Sequence, residues 1–175
     1  MYNKTRHPCF SIQYSLIVNS ISCFLSFDSI NRLFNRALNS INLLRNDLGD
    51  GLAHIATAWE QSTTLKSICG IAVGAGTADL SNQYLDAADA RIIALELRFN
   101  RALKSANLDY NSIGDEGAAA LSDALKSNST LEELKLHNNE IGAAGAQSLA
   151  GMLQVNRALT SVNLLKNDLG DGAER

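Results

Sequence analysis

NSTLEELKLHNNEIGAAGAQSLAGML, Asn128 to Leu153, carries two hydrophobic periods in one stretch. Leu131-x-x-Leu134-x-Leu136-x-x-Asn139-x-Ile141 opens with alternation at every second residue, the mark of a strand with one buried face. Gly142 to Gly145 reads as a turn. Ala146, Leu149 and Leu153 then recur at three- to four-residue spacing, as on an amphipathic helix.

The same order of signals repeats every 28 residues. Leu103, Leu131 and Leu159 share that spacing, as do Leu108, Leu136 and Leu164, and Asn111, Asn139 and Asn167. The helical stripe returns as Ala118, Leu121 and Leu125, and before that as Ala90, Ile93 and Leu97. Leu52, Ile55 and Trp59 fill those places in the first unit, which is one residue shorter at its turn. The first and last units are near copies. NRALNSINLLRNDLGDG (Asn35–Gly51) and NRALTSVNLLKNDLGDG (Asn156–Gly172) agree at 14 of 17 positions and differ only at Asn39/Thr160, Ile41/Val162 and Arg45/Lys166. They lie 121 residues apart, four periods and nine residues over.

One strand–helix unit cannot bury its own apolar face, so units must stack and share a core. Strand and helix alternating at this period predict right-handed crossovers and a parallel sheet. The column Asn46, Asn111, Asn139 and Asn167 is expected to be structural: an inward amide ending each strand pairs backbone groups of the turn. Gln83 takes that place in one unit.

The pattern LxxLxLxxNxIGxxGxxxLxxxLxxNxxL resembles the leucine-rich repeats of the ribonuclease-inhibitor type, and among these the repeat arrays in the C-terminal part of NOD-like receptors. The resemblance spans about residues 35–172. It implies an α/β leucine-rich-repeat solenoid, with strands on the concave side and helices on the convex side. It also implies a module that binds another protein, without a cofactor.

Two stretches depart from the period. Residues 1–34 contain no alanine and no glycine, hold the only proline and carry a net charge of +2. Within them Tyr14, Ile17, Ile21 and Leu25 fall near one helical face, which fits a cap helix for the first repeat; a non-repeat leader fits equally. The apolar run Ser15–Phe27 is too short for a stable membrane span. A secretory signal would start at Lys4 and Arg6, but no A-x-A-like cleavage site follows. The second departure, at about residues 66–77, has too few residues for a crossover helix and is expected to form a loop or bulge, with Gly70, Gly74 and Gly76 giving turn freedom.

The chemistry-bearing motifs point away from catalysis. Gly74-Ala-Gly76 is half a dinucleotide fingerprint with Asp79 where the third glycine belongs, and the chain has no Walker A motif. His7, His54 and His137 share no metal-ligand spacing. Asp47-x-x-Asp50 and Asp168-x-x-Asp171 resemble helix starts rather than calcium loops. Cys9, Cys23 and Cys69 are odd in number and scattered, which suits a reducing, cytoplasmic setting; Cys69 is expected to be a buried structural thiol. A net charge of −3 offers no basic footprint for nucleic acid. No cofactor and no metal are expected.

The concave face remains. Residues flanking the buried leucines give the columns Asn42, Asp79, Asn107, Lys135, Asn163; then Leu44, Ser81, Asp109, His137, Leu165; then Arg45, Asn82, Tyr110, Asn138, Lys166. These vary where the structural positions repeat. A protein partner is expected at Asn107, Asp109, Tyr110, Lys135, His137, Asn138 and Lys166, with Tyr110 as anchor. The last repeat, read as truncated after its strand and turn, would leave Leu159, Val162, Leu164 and Leu169 partly uncovered. That fits a piece of a longer array or self-association through that end. Alternatives to the binding module are a regulatory fragment related to GTPase-activating leucine-rich proteins, a passive scaffold, or the sensor part of a NOD-like receptor.

Overall fold

The structure, a computed structural model, describes residues 39–170. The expectations for residues 1–34 lie outside the described residues. The elements follow one another as α1 (Gly51–Gln61), β1 (Thr77–Asp79), α2 (Ala87–Phe99), β2 (Ser105–Asn107), α3 (Gly114–Leu125), β3 (Glu133–Lys135), α4 (Ala143–Val155) and β4 (Ser161–Asn163). The four strands form one parallel sheet in the order β1-β2-β3-β4. Pairing advances by one period per strand: Thr77, Ser105, Glu133 and Ser161 form one row, and Asp79, Asn107, Lys135 and Asn163 another. Strands lie about 4.8 Å apart and packed helices 8–10 Å, so a stack that keeps both layers in contact must curve with the sheet inside. The result is an α/β solenoid with a concave sheet face.

The core fills the space between the layers. Leu103, Leu108, Leu131, Leu134 and Leu136 from the strand side meet Ile93, Leu97, Leu121 and Leu125 from the helices, all essentially inaccessible. The helical stripe changes in α4, where Leu149 and Met152 are buried and Leu153 is 45% exposed, although its counterpart Leu125 is fully buried. Leu125 is covered by the following repeat; among the described residues no helix follows α4.

Glycines at 117 and 145 set the helix spacing. A Cβ on Gly117 would lie 2.6 Å from Ile113 and 2.8 Å from the Cβ of Ala90 on the neighbouring helix. One on Gly145 would lie 2.7 Å from Asp115 Oδ1 and 3.1 Å from Ala118. That Asp115 oxygen accepts the Gly142 and Gly145 N–H groups at 2.7 and 2.8 Å, so α4 receives its N-terminal cap from the preceding repeat. In α2 the counterpart of Asp115 is Ala87; that helix instead carries its own Asp89, at the place of Gly117, which closes a capping box with Asp86 and accepts the Arg45 N–H. Burial pushes the Asp89 carboxyl above its ordinary range.

The asparagine column does more than close its own turn. Asn111 donates to Leu108 O of its own strand and to Leu80 O of the preceding repeat, while its Oδ1 accepts the Gln83 and Leu85 N–H groups at 3.1 and 3.0 Å. Asn167 bonds its own Leu164 O, the preceding Leu136 O, and the Asn139 and Ile141 N–H groups. Asn111, Asn139 and Asn167 therefore each pin two successive turns together. Among the described residues the Gln83 side chain makes only a long 3.5 Å contact to Asp79 O.

A second column, Asn100, Asn128 and Asn156, does the same at the opposite end of the units. Each Oδ1 accepts the two N–H groups that lead into the next strand. The Asn128 and Asn156 amides reach back to Leu97 O and Leu125 O, both at 2.6 Å.

In the irregular stretch, Ser67 and Cys69 make isolated bridges to Ser40 and Asn42, the second of them antiparallel. Gly70 and Gly74 have φ of +70° and +79°, the left-handed region where glycine is favoured. The stretch is held from behind by Glu96, a fully buried carboxylate on α2. Its Oε2 accepts from Ser67 Oγ and from the Ile68 and Cys69 N–H groups, at 3.1, 2.8 and 3.2 Å. Trp59 packs edge-on against Phe99 at 5.3 Å, joining α1 to α2. Cys69 is buried beside Glu96, and burial and that carboxylate both push its thiol up, so it is an unreactive structural cysteine.

Candidate interaction face on the concave side

Ladder strands are only three residues long, so the face divides into a strand row and a turn row. Asn107 and Lys135 end their strands. Asp109 and His137 follow two residues later, in the turn, and Tyr110, Asn138 and Lys166 come one residue after that column. This corrects the expectation that all three columns project from strands. The third column, Arg45, Asn82, Tyr110, Asn138 and Lys166, stands in left-handed backbone throughout, with φ between 54° and 63°. None of the five is glycine, and non-glycine residues there are uncommon.

The first column has a backbone duty. Asn42, Asp79, Asn107 and Asn163 each accept the N–H two residues on, at 3.1 Å in every case. These are Asx turns, and they direct the chain out of the strand. Lys135 has no acceptor to offer at that place. Asp109 of the neighbouring repeat supplies it, its Oδ1 accepting the His137 N–H at 2.7 Å. Asn107 and Asp109, both expected at the partner site, therefore spend a side-chain oxygen on the turns.

Around them the sheet face is charged in both signs. Ser105 Oγ donates to Glu133 at 2.6 Å, and Lys135 Nζ stands 3.4 Å from the other Glu133 oxygen. The serine bond first, and Lys135 after it, hold the Glu133 carboxyl below its ordinary range. Ser81 hydroxyl and backbone bonds, with a smaller part from Lys135, do the same for Asp79. Tyr110 is 47% exposed, and its ring tilts against His137 with centroids 4.9 Å apart. His137 is half-buried, and among the described residues its Nε2 has no hydrogen-bond partner. Asn138 and Lys166 are exposed at the rim. Leu44, in the same column as His137, is instead buried in the core. His54 is exposed on α1, away from this face.

Sequence reading expected Asp109, Tyr110, Lys135 and His137 at one site; Tyr110 packs against His137 and Asp109 accepts the His137 N–H, while Lys135 stands beside Glu133. It missed Glu133 and Ser105, which occupy the row before. The period would have exposed that row too, since Glu133 stands out in it against Thr77, Ser105 and Ser161. Among the described residues no helix is long and apolar enough to cross a membrane.

Residues 99–122 and 127–150 match the family model described as Leucine Rich repeat. These two segments are leucine-rich repeats. With the parallel sheet and its crossover helices they make the fold an α/β leucine-rich-repeat solenoid. Among solved structures, the chain is similar to Leiomodin-1 Actin-Binding Site 2, at 27% identity over 81% of this chain and 80% of that one, with a TM-score of 0.48. It is also similar to a tropomodulin C-terminal domain from Caenorhabditis elegans, at 18% identity over 80% and 83% of the two chains, with a TM-score of 0.47. No curated protein matches the chain.

Proposed function

We propose that the protein is a non-enzymatic interaction module that holds a protein partner on its concave sheet face, with Tyr110 at the centre. The observation that carries this reading is a contrast within one period. Leucine and asparagine positions repeat from unit to unit, whereas the sheet-face positions depart from their neighbours most in the middle units, where Asp109, Tyr110, Glu133, Lys135 and His137 gather a half-exposed tyrosine among charges of both signs. Tyrosine gives large contact area at small conformational cost and is favoured at interface centres.

The hydrogen bonds divide the labour among the seven residues. Tyr110, Lys135, Asn138 and Lys166 supply contact groups, with His137 as the surface on which the Tyr110 ring rests. Asn107 and Asp109 act through the turns that they hold. The partner that fits is a polypeptide offering an apolar or aromatic side chain for Tyr110 and a carboxylate for Lys135. The scattered cysteines suit action in a reducing compartment.

A photo-crosslinking side chain at position 110, compared with one at Arg91 on the convex helices, tests the reading. The expected result is a defined protein adduct from position 110 that Lys135→Glu abolishes. Adducts from position 91 alone, or adducts from 110 indifferent to Lys135→Glu, would overturn it.

A further inference from the structure

The near identity of residues 35–51 and 156–172 has a physical consequence at the face of the fourth repeat, Asn128–Val155. That face holds residues 156–170 through a short set of contacts. Asn167 donates to Leu136 O at 2.8 Å and accepts from the Asn139 and Ile141 N–H groups at 2.9 and 3.0 Å. Asn156 donates to Leu125 O and Asn128 O, and Thr160 Oγ1 to Glu132 O at 3.0 Å. A Cβ at Gly170 would lie 3.1 Å from the Cβ of Ala143, so the turn passes close to α4.

Each of these requirements is met again by the first unit. Asn46, Asn35 and Gly49 stand where Asn167, Asn156 and Gly170 stand, Asn39 replaces Thr160 with another donor, and Ile41 replaces Val162 with one more methylene. The local conformation matches through the strand and the turn after it, and the two units part only at Gly49 and Gly170, with φ of 43° and 84°. Asn42 and Asn163 each accept an N–H two residues on at 3.1 Å, Asn46 and Asn167 each bond the carbonyl three residues back, and Arg45 and Lys166 have φ of 63° and 56°. In a parallel ladder alternate residues point to opposite neighbours. Ile41 and Leu43 pair with the 66–70 stretch, so Ser40 and Asn42 point the other way, as Ser161 and Asn163 do toward β3.

We propose that the face of the fourth repeat accepts residues 35–51 of a second copy of this chain in place of its own residues 156–172, giving head-to-tail assembly. Exchange of equivalent elements between protomers leaves the contacts nearly unchanged, which makes it a low-energy route to association. The incoming unit also brings α1 with it. Its place is beside α4, over Ala150 and the 45% exposed Leu153, whose counterparts Ser122 and Leu125 are buried in the preceding repeat. The tethered segment competes at an effective concentration of about 1 mM, so exchange reaches roughly a tenth of molecules at about 0.1 mM protein.

Disulfide trapping in the full chain tests the register. Glu133 and Ser161 are directly paired, and neighbouring strands stand within disulfide reach. The first unit's equivalent of Ser161 is Ser40. Within one chain β1 and β2 separate Ser40 from Glu133, so a Ser40→Cys/Glu133→Cys chain can join those positions only between copies. The expected result is a covalent ladder of dimers and larger species that fades on dilution and exceeds the baseline of the three native cysteines. Glu133→Cys/Ser161→Cys, closing within one chain, confirms that β3 and β4 remain paired. No ladder above baseline while that control closes would overturn the proposal. So would a fixed monomer mass of the unsubstituted chain up to about 1 mM, the range in which tethered competition is overcome. A ladder equally strong from the off-register pair Thr57→Cys/Glu133→Cys would overturn it as well.

Discussion

The Asp109 carboxylate accepts the backbone N–H of His137 at 2.7 Å, and the residue that makes this necessary is Lys135. In the four other described units the residue ending the strand serves its own turn. A lysine there frees a cation for the concave face and hands the turn to the neighbouring repeat. Asp109→Ala is therefore expected to lower stability by about 1–2 kcal/mol in urea unfolding, since the amide loses a charge-assisted partner. Lys135→Asn should restore most of that loss in the Asp109→Ala background and change little alone. Additive effects of the two substitutions would contradict the shared duty.

The asparagine column predicts a graded series. Asn111 is buried and makes five hydrogen bonds, some to its own repeat and the rest to the preceding one. Asn46 is half-buried and, among the described residues, bonds only Leu43 O and Leu44 O of its own strand. Asn111→Ala should lower stability by about 3 kcal/mol and Asn46→Ala by about 1 kcal/mol, because unsatisfied buried groups weigh more than half-solvated ones. Equal losses would mean that the bonds between repeats add nothing.

Helix spacing makes the opposite of a propensity forecast. Alanine normally stabilises a helix interior over glycine by about 1 kcal/mol. At Gly117 its methyl would press within 2.8 Å of Ala90 and 2.6 Å of Ile113, so Gly117→Ala should destabilise by about 1–3 kcal/mol. Ala90→Gly in the same chain should recover part of that loss. Paired melting curves of the single and double variants read it directly.

The Ser105–Glu133 bond carries a pH signature. A carboxyl held below its ordinary range stabilises the fold above its unfolded pKa, and that contribution disappears as pH falls through the folded value. Carboxyl NMR should find Glu133 titrating below an ordinary glutamate. Ser105→Ala should raise its midpoint, since the hydroxyl bond is the larger cause and Lys135 the smaller. An unmoved midpoint would assign the shift to Lys135 instead.

The regular part of the fold was legible because one period wrote the same geometry several times. Leu131, Leu134 and Leu136 alternate and are all fully buried, and the matching helical stripe is buried in α2 and α3. Left-handed backbone at Tyr110 and Lys166 was not legible, since glycine and asparagine mark such positions and tyrosine and lysine do not. Nor was the exchange at Asp109 and His137, which depends on what stands opposite in the next repeat rather than on any local pattern. Glu96 escaped for a related reason. A glutamate on a helix reads as solvated, and only the irregular stretch at Ser67–Cys69 supplies the three donors that hold it inside.

The most direct measurement of the interaction reading is a comparison of photo-adducts from position 110 in the parent chain and in Lys135→Glu, with urea stability recorded for both. A defined adduct that Lys135→Glu removes at unchanged stability is the result expected of a concave binding face. Undiminished adducts, or adducts arising only from the convex position 91, would contradict it.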